Sequence, residues 1–170
     1  MPRPSVIALI GYRGSGKTTV GRIVAAREGL SFIDSDDVIR EREQTTISGI
    51  FADKGESYFR TVESAVLADL LSRDNIVLST GGGIIVSENN RRLLHENAFV
   101  VYLSCPVSIL IERIAAGTDR PALLPGQSLT DEVTQLYTLR RPLYESCAHM
   151  TLDTGTLSAE DAATAIGKLL

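Results

Sequence analysis

Short apolar, partly β-branched runs alternate along the chain with longer stretches whose apolar residues recur every three or four positions. Runs of the first kind suit strands buried on both faces, and stretches of the second suit amphipathic helices packed on them. The pattern predicts strands over 6–10, 30–34, 75–79, 98–103 and 150–153. It predicts helices over 17–27, 37–43, 47–54, 56–72, 87–97, 107–116, 129–139 and 158–170. Within 56–72, Val62, Ala65, Val66 and Leu70 share one face. Ser158 and Asp161 are spaced like a capping box at the start of the last helix. Residues 117–127, rich in Gly, Pro and polar side chains, read as a loop. Alternating strands and helices imply an α/β fold with a parallel sheet covered on both faces. Ligands of such sheets collect beyond the carboxyl ends of the strands. The residues after Ile10, Ile33, Ser79 and Leu103 are therefore the place to look. No repeat, low-complexity tract or linker interrupts the pattern, so 1–170 is expected to form a single domain.

Composition narrows the function. Hydrophobic residues make up 44% and charged residues 22% of the 170 positions, a balance that excludes a disordered chain. The net charge of −4 disfavours nucleic acid as the main partner. No apolar run approaches the ~20 residues of a membrane span, and no signal peptide is evident at the start. A cytoplasmic protein with no membrane partner is expected. Cys105 and Cys147 form no CxxC pair and read as small buried hydrophobes. His95 and His149 read as isolated residues.

The chemistry begins after the first strand, where Gly11-Tyr12-Arg13-Gly14-Ser15-Gly16-Lys17-Thr18 fits G-x-x-x-x-G-K-[ST] in full. The glycines let the backbone turn its N–H groups inward around phosphates, and the following helix adds its positive dipole end. Gly14, Ser15, Gly16, Lys17, Thr18 and Thr19 are thus expected to hold ATP. Lys17 places a mobile charge on the β- and γ-phosphates, and Thr18 offers a hydroxyl to Mg²⁺.

Three further signals bear on the phosphate acceptor. The second strand ends in Asp34-Ser35-Asp36, where an extended backbone would put both carboxylates on one face, one for a metal and one for an acceptor hydroxyl. Asp36 or Asp37 could instead cap the next helix. The third strand ends in Gly81-Gly82-Gly83, which either lets the backbone approach a ligand or forms a flexible turn. Arg60 stands on a predicted helix and Arg140 closes the one over 129–139, places where solvent-exposed arginines are also common. Arg113 and Arg120 flank or occupy 117–127, where a lid would need positive charge for the transferring phosphate.

The P-loop GYRGSGKTTVGR, then FIDSD, IFADKGESYFRTVE, LSTGGG, TDRPAL and LRRPLY, in that order over about residues 5 to 168, resemble the shikimate kinase family. That family belongs to the nucleoside-monophosphate-kinase-like P-loop folds. The P-loop alone is widely shared, whereas the combined set is narrow. The resemblance implies a three-layer α/β/α fold with a five-stranded parallel sheet of order 2-3-1-4-5, a substrate-binding region over 37–60 and a mobile lid over 117–127. It implies transfer of the ATP γ-phosphate to the 3-hydroxyl of shikimate, in the chorismate and aromatic amino acid pathway, with Mg²⁺ held by Thr18 and Asp34. Asp36 would bind shikimate hydroxyls. Arg60, Arg140 and the Gly81–Gly83 turn, through the backbone of Gly82, would hold its carboxylate. Phe51 and Phe59 would wall the ring, and Glu63 would support the site. Arg120 would reach ATP as a catalytic residue with Lys17 and Asp36, and Arg113 would lie near the adenine. Contacts near 153–156 are loosely specified. Nothing in the sequence requires more than a monomer. The rival readings are a gluconate or nucleoside monophosphate kinase, or a degenerate nucleotide-binding homologue. The complete set of site residues and the GGG and RxPLY segments weigh against them.

Overall fold

The computed structural model describes residues 4–117, 124 and 126–170. Strands β1 (Val6–Ile10), β2 (Ser31–Asp34), β3 (Ile76–Ser79), β4 (Phe99–Ser104) and β5 (Met150–Asp153) form one sheet in the order β2-β3-β1-β4-β5. Every pairing in it is parallel. This is the expected order and direction. The helices are α1 (Lys17–Glu28), α2 (Ser35–Glu43), α3 (Ile47–Leu71), α4 (Glu88–Asn97), α5 (Val107–Ala116), α6 (Leu129–Cys147) and α7 (Ala159–Gly167).

Burial of β1 accounts for the layers. All five of its residues are buried, and successive side chains leave on opposite faces. Val6, Ala8 and Ile10 enter one core with Ile39 of α2, Leu67 of α3, Leu94 of α4 and Leu110 of α5. Ile7 and Leu9 enter the other with Val20 and Val24 of α1 and Ala162 and Ile166 of α7. Burying each large aliphatic side chain contributes about 1.5–3 kcal/mol, so an unbroken apolar run belongs at the centre of such a sheet.

The expected break between 47–54 and 56–72 is present: α3 is two helical stretches that meet at Gly55, which takes a non-helical φ of 81° and ψ of 171°. Only glycine adopts that conformation readily. One helix differs from the pattern reading. Helix α6, expected to stop at 139, runs on through Pro142 to Cys147. An interior proline costs about 3 kcal/mol through its missing N–H and its ring. Beyond it, however, Tyr144 and Cys147 are buried in the core, and their burial offsets that cost.

The two histidines are not isolated. His95 and His149 stack with ring centroids 4.3 Å apart, and Phe99 lies 5.5 Å from His149. His149 Nδ1 accepts a hydrogen bond from the Val100 amide at 3.0 Å. Burial, and then the proximity of His95, holds the His149 pKa below the ordinary 6.5. A depressed folded pKa means that the stabilisation is complete above about pH 6.5 and is lost as pH falls through the folded value. The melting temperature of the wild type is therefore expected to drop more steeply from about pH 7 to pH 5 than that of His149→Asn. Parallel pH profiles would show that the ring's protonation does not act on folding.

Candidate active site

The loop after β1 is built around three glycines with positive φ, Gly11 at 151°, Gly14 at 83° and Gly16 at 98°. Side chains resist that region, so these positions set the path of the turn. The Ser15 amide donates to the Tyr12 carbonyl at 3.1 Å, and α1 starts immediately after Gly16. The loop and the first turn of α1 thereby supply N–H groups and a positive helix end at one place. Lys17 is 8% exposed, and its ammonium donates to the carbonyls of Gly11 at 2.8 Å and Tyr12 at 3.0 Å. The charge is held at the loop rather than extended into solvent.

Thr18 Oγ1 donates to Asp34 Oδ2 at 3.4 Å. Asp34 Oδ1 accepts from the Asp36 amide at 2.9 Å, which makes Asp34 the N-cap of α2. Two expectations are adjusted here. The capping role open to Asp36 or Asp37 belongs to Asp34. The strand ends at Asp34, so Asp36 stands in the first helical turn and not two places along an extended strand. Both carboxylates still line one cavity, because the Gly81 amide donates to Ser35 Oγ at 3.2 Å and ties the turn after β2 to the end of β3.

That cavity, about 410 Å³, lies at the carboxyl ends of β1, β2 and β3 and is within the usual range for small-molecule sites. Arg13 to Thr19 line one side, Asp34, Asp36, Gly81 and Gly82 another, and Arg113 and Thr154 a third. Arg113 donates to the carbonyl of Thr154 at 2.7 Å and to that of Gly14 at 3.3 Å. Thr154 Oγ1 donates to the Ser15 carbonyl at 2.7 Å. The loosely specified segment after β5 is thus fastened to the P-loop. Nothing in the sequence singled out Thr154, which reads as an ordinary turn residue after a weak strand.

The remaining site residues adjoin the cavity. Arg60 Nη1 donates to Glu63 Oε2 at 2.7 Å, and Glu63 is only 2% exposed. The Arg60 guanidinium also lies 5.3 Å from the Phe59 ring centre, and Phe59 packs on Phe51 at 4.7 Å. Burial raises the Glu63 pKa, Arg60 opposes the rise, Asp36 adds to it and Arg140 also opposes it. Arg60 of α3 and Arg140 of α6 therefore act on the same buried carboxylate, as does Asp36 of α2.

The three-glycine turn also makes room for side chains of the protein itself. None of its glycines has positive φ. A Cβ on Gly81 would stand 3.0 Å from Asp36 Oδ1 and 3.2 Å from Glu63 Oε1, and one on Gly83 would stand 2.6 Å from the Arg60 guanidinium. Glycine at 81 and 83 leaves room for the protein's own charged side chains, which a Cβ there would displace. Gly82 lies against the P-loop, 3.4 Å from Arg13 N on the same measure. Its carbonyl accepts a short hydrogen bond from Tyr144 of α6. Sequence reasoning also missed Glu132, fully buried on α6, which pairs with Arg13 and accepts from the Leu124 amide at 2.8 Å. An acid among the apolar positions of 129–139 was the only available signal. Arg120 lies outside the described residues.

Comparison with known proteins agrees with this fold. A family model described as shikimate kinase matches residues 13–170. A shikimate kinase of Nitrosomonas europaea is 45% identical over 156 residues, covering 92% of this chain and 74% of that one. One of Acinetobacter baumannii is 42% identical over 164 residues, covering 96% of this chain and 91% of its own. The solved structure of shikimate kinase from Acinetobacter baumannii in complex with shikimate superposes with a TM-score of 0.91 at 40% identity. The match covers 98% of this chain and 92% of that one.

Proposed function

The chain belongs to the shikimate kinase family, and on that premise we propose that its cleft holds ATP on the P-loop and shikimate between Arg60 and Arg140. The enzyme transfers the γ-phosphate of ATP to shikimate, a step of aromatic amino acid biosynthesis. The acceptor atom is the 3-hydroxyl, and the products are shikimate 3-phosphate and ADP. The observation that carries the site assignment is the convergence of Arg60, Arg140 and Asp36 on Glu63, directly beside the phosphate loop.

Shikimate is a small ring bearing one carboxylate and three hydroxyls. A carboxylate is held best by planar guanidinium groups, which bond it in pairs. Arg60 and Arg140 supply these, with the backbone at Gly82. Buried Glu63 fixes Arg60 in place. The stacked Phe51 and Phe59 wall the apolar side of the ring. The carboxylate of Asp36 accepts the proton of the reacting hydroxyl as its oxygen bonds to phosphorus and the bond from phosphorus to the departing ADP oxygen breaks. Lys17 and the amides of Gly14 to Thr19 stabilise the charge on the phosphates. Arg113 bounds the adenine side. Arg120, which like most of 117–127 lies outside the described residues, is the expected further cation for ATP.

The Thr18 hydroxyl and Asp34 carboxylate, 3.4 Å apart at the phosphate loop, are hard oxygen donors suited to Mg²⁺, which typically takes one or two protein ligands and completes its shell with phosphates and water. Thr18 and Asp34 would hold the ion, whose charge would offset that of the phosphates. We place the enzyme in the cytoplasm as a single-domain monomer, with 37–60 as its acceptor-binding region. Among the described residues no helix is long and apolar enough to cross a membrane.

The site assignment is tested by separating the two substrates. Arg60→Ala and Arg140→Ala are each expected to raise KM for shikimate about 10- to 150-fold, the usual worth of a charge-assisted contact, with KM for ATP within about twofold of wild type. A rise in KM for ATP with KM for shikimate unmoved would put these arginines on the nucleotide.

A further inference from the structure

The P-loop motif leaves positions 12 and 13 open, and the phosphate chemistry above uses neither side chain. Yet Tyr12 is only 1% exposed and is one of the largest fully buried side chains in the chain. Its surroundings face two ways. Its carbonyl accepts from the Lys17 ammonium at 3.0 Å, which ties it to the phosphate side. Its ring points to α6, meeting Tyr137 edge to face at 6.0 Å, and the Arg140 guanidinium lies 5.9 Å from its centre. A guanidinium at that range is attracted by the negative face of the ring, the more so where water is partly excluded.

The Tyr12 hydroxyl is buried, and its side-chain hydrogen-bonding neighbour is Arg13. Burial raises its pKa, while the charges of Arg13 and Arg140 beside it pull the other way. The hydroxyl thus engages Arg13, and the feature that acts on Arg140 is the aromatic face. Arginine is long and rotamer-rich, and ordering such a side chain costs up to about 2 kcal/mol of conformational entropy. A ring that already favours one placement of Arg140 lowers that cost on binding.

We propose that Tyr12, although part of the nucleotide-binding loop, is a positioning residue for the acceptor: its ring holds the Arg140 guanidinium ready for the shikimate carboxylate. This rests on the reading of Arg140 given above. It links the two half-sites through one residue, whose main chain serves Lys17 and whose side chain serves Arg140.

Steady-state kinetics on Tyr12→Leu, Tyr12→Phe, Arg140→Ala and the Tyr12→Leu/Arg140→Ala pair test it, with Tyr12→Met replacing Tyr12→Leu if that variant does not fold. The expected result is a rise in KM for shikimate of about three- to tenfold in Tyr12→Leu, with KM for ATP within about twofold. Tyr12→Phe is expected to recover most of the loss. In the Arg140→Ala background, Tyr12→Leu should cost nothing more. The proposal is overturned if both Michaelis constants rise together, if Tyr12→Phe is as impaired as Tyr12→Leu, or if the loss persists without Arg140. Silence of Arg140→Ala itself would count against the functional reading. A strong Arg140→Ala effect with a silent Tyr12→Leu would sink this inference alone.

Discussion

Lys17→Ala is expected to fold and to lose at least about a hundredfold in kcat, the usual worth of a preorganised charge at a transferring phosphate. The ammonium is held at the mouth of the loop by the Gly11 and Tyr12 carbonyls, so no large movement is needed to bring it to the β- and γ-phosphates. Its removal should leave the loop path intact, because Gly14 and Gly16 set that path through their own backbone angles. The melting temperature should therefore change little. Stopped-flow or coupled-assay kinetics at saturating substrates supply the measurement. A variant that keeps more than about a tenth of wild-type kcat would show that the loop amides alone carry the phosphate charge.

The second large effect belongs to Asp36→Asn, with an expected fall in kcat of about 10²- to 10⁴-fold. An amide matches the carboxylate in shape but cannot take the proton of the acceptor hydroxyl. Losing a general base should lower kcat and kcat/KM for shikimate together, unlike the arginine variants, where KM carries most of the loss. KM for ATP should stay near wild type. Single-turnover rates with preformed enzyme and both substrates isolate the chemical step. An unchanged single-turnover rate would remove Asp36 from catalysis and leave it a binding group only.

The fold was legible because each level of the sequence agreed with the next. The buried β-branched run at β1, the glycines of the P-loop and the amphipathic helices all pointed to one layered sheet. The strands β1 and β5 and helix α5 fall on the residues the pattern marked. The pattern failed where tertiary packing outweighed a local signal. Pro142 stops a helix by propensity, but the burial of Tyr144 and Cys147 carries α6 past it. His95 and His149 are far apart in sequence, and only the end of α4 meeting the start of β5 stacks them.

The site was legible in type more than in geometry. Residue identity told that an arginine pair and two aspartates suited a hydroxylated carboxylate. It did not tell that Asp34 would cap α2, nor that Gly81 and Gly83 leave room for Asp36, Glu63 and Arg60. Tyr144, Thr154 and Glu132 were missed for a common reason. Each acts on a backbone group or side chain from a distant segment, Tyr144 on Gly82, Thr154 on Ser15, Glu132 on Arg13 and Leu124. No local spacing records such a contact.

The central claim concerns the acceptor, and a panel of acceptors tests it most directly. The enzyme is incubated with ATP and Mg²⁺ and, in turn, with shikimate, gluconate and nucleoside monophosphates, while ADP release and phosphorylated product are followed by ³¹P NMR and mass spectrometry. The account predicts phosphate on the shikimate 3-hydroxyl, with turnover in the range of about 1–100 s⁻¹ usual for kinases. The other acceptors should react with kcat/KM at least about 10²-fold lower, since the paired arginines and Asp36 match neither a linear sugar acid nor a base and phosphate together. Transfer to gluconate or a nucleoside monophosphate at a rate equal to or above that for shikimate, or no phosphorylated shikimate at all, would contradict it.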